Sequence, residues 1–113
     1  METRSTFEYV RDHEITKTFI QDTKKMLHGF VIERMPEPHS ISMSNPLRVN
    51  MRLHYRAGIK ANKGLKTWLE VNGWKVGRRE TTDEDGRTCY IFEAYRAIHI
   101  PIDKKEEPTY GGQ

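Results

Sequence analysis

The sequence predicts an α+β domain in which two helices pack on one face of a four- to five-stranded, mainly antiparallel sheet. Three observations carry this reading. Apolar and polar residues alternate without a break over Leu47–Arg56, the pattern of a half-buried strand. Apolar residues recur near helical spacing at Ile15, Phe19, Met26 and Leu27, and again at Leu65, Trp68 and Leu69. An Asp85-Gly86 pair separates two further strand-like runs, which is a hairpin signal.

Taken in order, residues 6–10 read either as a short first strand or as the lead-in to a helix. Residues 15–28 read as a helix stopped by Gly29, and 30–34 as a strand. Residues 35–46 read as a loop, because Pro36, Pro38, Ser40, Ser42, Ser44, Asn45 and Pro46 punctuate it. Leu47–Arg56 is the clearest strand, broken by Gly58. Residues 60–72 read as the second helix, its start weakened or delayed by Gly64 and its end set by Asn72-Gly73. Residues 74–80 and 87–98 are strands, and 98–102 extend the second until Pro101 ends its pairing. With a strand at 6–10, this is the split βαβ order of a ferredoxin-like sandwich with an edge extension. The alternative is a winged helix, with 60–72 as recognition helix and the following hairpin as wing. Winged-helix domains usually place helices where 47–56 reads as strand, so the ferredoxin-like order is favoured. A single domain over 1–102 is expected, followed by a charged, frayed tail over 103–113.

A chain of 113 residues with a mean hydropathy of −0.81 can bury only a small core. Trp68, Trp74, four Phe and five Tyr are enough to pack one. There is no apolar run long enough to span a bilayer and no apolar leader at the start. Cys89 is the single cysteine, so an intrachain disulfide is excluded. Cytoplasmic residence, away from membranes, is the expectation.

Charge is segregated along the chain. Residues 47–79 hold nine Lys/Arg and one acid, Glu70, whereas 1–46 sum to −1 and 80–113 to −4. On a strand, Arg48, Asn50, Arg52, His54 and Arg56 share the face opposite the apolar one. Arg48, Arg52 and Arg56 would stand about 13–14 Å apart, a ladder able to meet several phosphates. Lys60, Lys63 and Lys66 form a second basic set on the second helix. Lys75 and Arg78 belong to a third, in which Arg78 and Arg79 point to opposite faces. This pattern points to a nucleic acid, DNA or RNA, held mainly through its phosphates. The competing reading is a solvated outer face with its arginines paired to Glu33 or Glu93.

Other chemistry is sparse. Tyr90 and Phe92 share one strand face and Tyr95 the other. Open-sheet RNA binders stack bases on such rings, although core packing is the favoured role. The five histidines have no metal-ligand spacing, and Asp83 to Gly86 reads as a turn better than as a calcium loop. No cofactor, metal or catalytic residue is assigned. The expected function is a small non-enzymatic nucleic-acid-binding protein with a regulatory or accessory role. Two alternatives compete with it. One is an inhibitor or adaptor, including a viral-type host modulator, docking on an acidic protein surface through the basic face and through Met35, Ile41 and Met43. The other is a metal-independent ribonuclease using His54, Glu93 and Arg52 or Arg56.

Overall fold

The computed structural model describes residues 5–102. The tail expected over 103–113 lies outside the described residues. The observed elements are α1 (Thr6–Asp12), α2 (Glu14–Met26), β1 (Arg34–Ser42), β2 (Leu47–Arg56), a 3-10 turn (Lys60–Asn62), α3 (Leu65–Val71), β3 (Lys75–Thr82) and β4 (Thr88–Ile100). The four strands form one antiparallel sheet in the order β1-β2-β4-β3. This is an α+β architecture with three helices rather than two.

The first correction removes the short strand at 6–10, where the alternative reading, a helix, is what forms. Ser5 caps α1 by accepting a hydrogen bond from the Glu8 amide at 3.1 Å. The Ser-x-x-Glu spacing is a helix-start signal that outweighs the strand reading. His13 is extended, and its Nδ1 accepts from the Ile15 amide at 3.1 Å, so one helical region becomes two helices. With a helix where the first strand was expected, the ferredoxin-like order does not result. The winged-helix alternative also fails to describe the sheet, since β1 and β2 precede α3 and β4 pairs with β2 as well as with β3.

The second correction is at 30–46. The strand expected at 30–34 starts only at Arg34 and runs through most of the expected loop as β1, so that irregular backbone is left at 30–33 and, as expected, at 43–46. Two prolines survive there because β1 is an edge strand. Its pairing with β2 is irregular between Arg34 and Glu37 and between Pro38 and Ser40. Proline lacks a backbone N–H, and edges and bulges are where a strand tolerates that.

The other elements follow the sequence signals closely. Gly64 adopts a left-handed φ of +85° and delays α3 to Leu65, leaving a 3-10 turn before it. Asp83 closes the β3–β4 turn by accepting from the Asp85 and Arg87 amides, and Gly86 supplies a φ of +76°. β4 stops at Ile100, before Pro101.

Alternation on β2 decides which way the sheet faces. Leu47, Val49, Met51, Leu53 and Tyr55 are all buried, in one cluster with Tyr9, Val10, Leu27, Leu65, Leu69, Trp74, Ala94, Ile98 and Ile100. α1 and α3 contribute to that cluster and α2 packs against it through Phe19 and Ile20, so all three helices lie on the same side of the sheet. Tyr9 pins α1 to the end of β4 by donating its hydroxyl to the Pro101 carbonyl at 2.9 Å. The opposite face carries no helix among the described residues. No described helix is long and apolar enough to cross a membrane.

Candidate nucleic-acid interface

The helix-free face is built by cross-strand register. On β2 it presents Arg48, Asn50, Arg52, His54 and Arg56. Their partners on β4 are His99, Ala97, Tyr95, Glu93 and Ile91. β1 adds Ser42, Ser40, Glu37 and Arg34 opposite Arg48, Asn50, Arg52 and His54. β3 adds Lys75 opposite Tyr95, Gly77 opposite Glu93 and Arg79 opposite Ile91. Residues paired in register share a face, so one surface gathers side chains from all four strands.

Its two ends differ in charge. At the Arg56 end, acids answer the bases. Glu33 accepts from the Arg56 guanidinium. Glu93 accepts from Arg79 Nε at 3.0 Å and from the Tyr95 hydroxyl at 2.9 Å. Glu37 stands 3.7 Å from Arg52. His54 Nε2 is 3.6 Å from Glu93 Oε1, and the residue is only 7% exposed. Burial pushes the His54 pKa down, and Arg52, Arg34 and Arg79 reinforce that against the attraction of Glu93. His54 is therefore neutral at neutral pH. Burial alone would raise the Glu93 carboxyl. The Tyr95 hydroxyl, His54 and Arg79 outweigh it and hold the group below the ordinary carboxylate value.

At the Arg48 end the acids stop. A hollow of about 630 Å³ opens there, lined by Arg48, Asn50, Lys75, Tyr95 and Arg96 together with His39, Ser40, Gly73 and Ala97. No carboxylate among the described residues lines it. Arg48, Lys75 and Arg96 are exposed and have no acidic partner among the described residues. Asn50 donates to the Ser40 hydroxyl at 2.9 Å, which fixes its amide in the floor. The rings of His39 and Tyr95 stand 5.6 Å apart. The hollow exists because β4 outruns β3. Lys75, the first residue of β3, pairs with Tyr95, so residues 96–100 of β4 have a strand neighbour on the β2 side alone. Arg96 stems from the helix-side face, opposite Met51, and its guanidinium lies 5.4 Å from the Phe19 ring centre at this notch.

Of the residues singled out from sequence, the structure brings Arg48, Asn50 and Lys75 to the hollow. Arg52, His54 and Arg56 lie on the same face but among acids. Arg78 is on the helix side, 4.5 Å over the Tyr90 ring. Lys60, Lys63 and Lys66 belong to the segment that crosses the helix side after β2, and Lys66 pairs with Glu70 at 3.3 Å. Sequence reasoning missed His39, Ser40 and Arg96 as lining residues. Arg96 had a signal, being the one charge among Phe92, Ala94, Ile98 and Ile100 on the apolar side of β4. Tyr95 is also not a core ring but part of the helix-free face.

His54 and Glu93 do converge, as a ribonuclease would need. A histidine this buried has no approach to a scissile phosphate, however, and general acid–base work requires contact. No group of His, Cys, Asp and Glu among the described residues could hold a metal ion. No protein family, characterised protein or solved structure matches the chain at a significant level.

Proposed function

We propose that this protein binds nucleic acid through the Arg48 end of its helix-free sheet face. The observation that carries the reading is the hollow at that end, with three exposed cations at its rim, donor groups in its floor and no carboxylate among the described residues that line it. Unpaired cations converging on a concave surface raise the local concentration of a polyanion and meet its phosphates directly. Arg48 offers a planar fork of donors, suited to a phosphate or a guanine edge. Lys75 offers a compact charge. The Asn50 amide, with its carbonyl oxygen and second N–H available, suits a base edge. The protein acts as a binder in this reading.

The test is fluorescence anisotropy with labelled DNA and RNA over a salt series, using Arg48→Glu/Lys75→Glu as the control. Binding that weakens steeply with salt and is lost in the control supports the reading. An absence of binding to every nucleic acid at low salt sinks it. The basic hollow would then be better matched to an acidic protein surface.

A further inference from the structure

The geometry points to an unpaired nucleotide as the unit this hollow accepts, and hence to single-stranded rather than duplex nucleic acid as the preferred ligand. This rests on the nucleic-acid reading above and deepens it. Three features select the single strand.

The first is shape. A volume of about 630 Å³ falls in the range of sites that take a small molecule, which is roughly 300–1,000 Å³. That suits a nucleotide and its neighbouring phosphate. A duplex presents a convex backbone with its bases stacked inside, and a base reaches such a recess only by leaving the stack.

The second is the ring pair. His39 comes from the bulged stretch of edge strand β1 and Tyr95 from β4, and their planes are tilted by 55°. A planar base can lie on one ring with its edge toward the other. Tyr95 is held for this role, because its hydroxyl donates to Glu93 at 2.9 Å and so ties the ring to the ion-paired half of the face. Stacking on aromatic rings tolerates any base, since each has a π-face.

The third is the distribution of charge. Arg48 on β2 and Lys75 and Arg96 near the β3–β4 notch flank the rings from two sides. A strand crossing the hollow can therefore place phosphates on either side of the stacked base. Asn50, with its amide fixed by Ser40, lies in the floor between them. Together these are the parts of a single-strand site, a stacking platform inside a cationic groove.

The experiment compares a short single strand carrying 2-aminopurine with the same strand annealed to its complement, by anisotropy and by 2-aminopurine fluorescence. The expected result is quenching on binding and an affinity for the single strand roughly ten-fold above that for the duplex. Tyr95→Leu should remove most of that preference, and Tyr95→Phe, which keeps the ring but loses its tie to Glu93, should retain the larger part of it. His39→Ala, at an exposed position of an edge strand, should weaken single-strand binding several-fold and provides the test if Tyr95→Leu does not fold. Equal affinity for both forms, without quenching, overturns the inference and leaves the nucleic-acid reading standing. Binding to neither form overturns both.

Discussion

Arg56 and Arg48 stand at opposite ends of the same face of one strand, yet they are in different electrical situations. Arg56 is held by Glu33, and its neighbours His54, Arg79 and Tyr95 converge on Glu93. Arg48 opposes His99 and Ser42, and no acid among the described residues lines the hollow beside it. The alternation in the sequence assigned both arginines to one side of the sheet. It could not say which was already neutralised, because the acids arrive from β4, from β1 and from Glu33 just before β1. A basic run on a strand thus acquires meaning only once its cross-strand neighbours are known. The paired half serves the fold and positions Tyr95. The unpaired half is the one to which the proposed function assigns the ligand.

The comparison can be broken most directly by reversing charge at each end. Arg48→Glu/Lys75→Glu should lower affinity for single-stranded nucleic acid by about a hundredfold at low salt. Because both side chains are exposed and unpaired, the melting temperature should barely move. Anisotropy and thermal denaturation of the same preparation check the two halves of this prediction.

The mirror experiment is Glu93→Ala. It strips the acceptor from Arg79 and Tyr95 in a partly buried setting, and should cost about 2 kcal/mol in urea unfolding. Removing a negative charge from the face favours a polyanion, while freeing the Tyr95 ring costs some stacking, so nucleic-acid affinity should change by less than about three-fold. A large loss of affinity with no loss of stability would reverse the roles given to the two halves.

Acid should weaken the paired half specifically. The pKa of His54 is lower in the folded chain than in the unfolded one, so the unfolded state takes up the proton more readily. Stability is then complete above the ordinary histidine value of about 6.5 and declines as pH falls below it toward the folded value. The depressed Glu93 carboxyl acts with the same sign at lower pH, below its own ordinary value of about 4.3. Urea unfolding between about pH 7 and 5 should show the first decline, and His54→Gln should flatten it. A stability that rises on acidification through this window would contradict the burial argument.

The smallest effect is expected from the remaining basic residues. Replacing Arg56 or the Lys60, Lys63 and Lys66 set by alanine should change affinity by less than about three-fold. These cations are either ion-paired or remote from the hollow in the fold. Titrations matched to those of the charge-reversed pair would sharpen the contrast between the two ends.

Much of this was legible in the sequence, and the gaps have physical causes. The strand Leu47–Arg56, its buried and exposed faces and the Asp-Gly hairpin were readable because periodicity and turn chemistry are local. The possible pairing of arginines with Glu33 and Glu93 could be named but not placed. β1 was hidden because Pro36 and Pro38 argue against a strand unless it is known to be an edge, which is a property of the whole sheet. The hollow was hidden for a related reason. It depends on β4 being longer than β3 and on His39, Tyr95 and Lys75 meeting across three strands. None of those three is conspicuous alone. Arg96 shows how far a local rule can go, since a lone charge on the apolar side of a strand marks a point where that side reaches solvent.

The most direct measurement is the salt dependence of single-strand binding for the parent protein and for Arg48→Met, Lys75→Met and Arg96→Met. Each phosphate contact on a single strand contributes about −0.7 to the slope of log affinity against log salt, so three cations predict a slope of about −2. Each substitution should reduce its magnitude by about 0.7, whereas Arg52→Met and Arg56→Met should leave it unchanged. A slope that falls as much for Arg52 and Arg56 as for the residues of the hollow would contradict the division of this face into a paired half and a binding half.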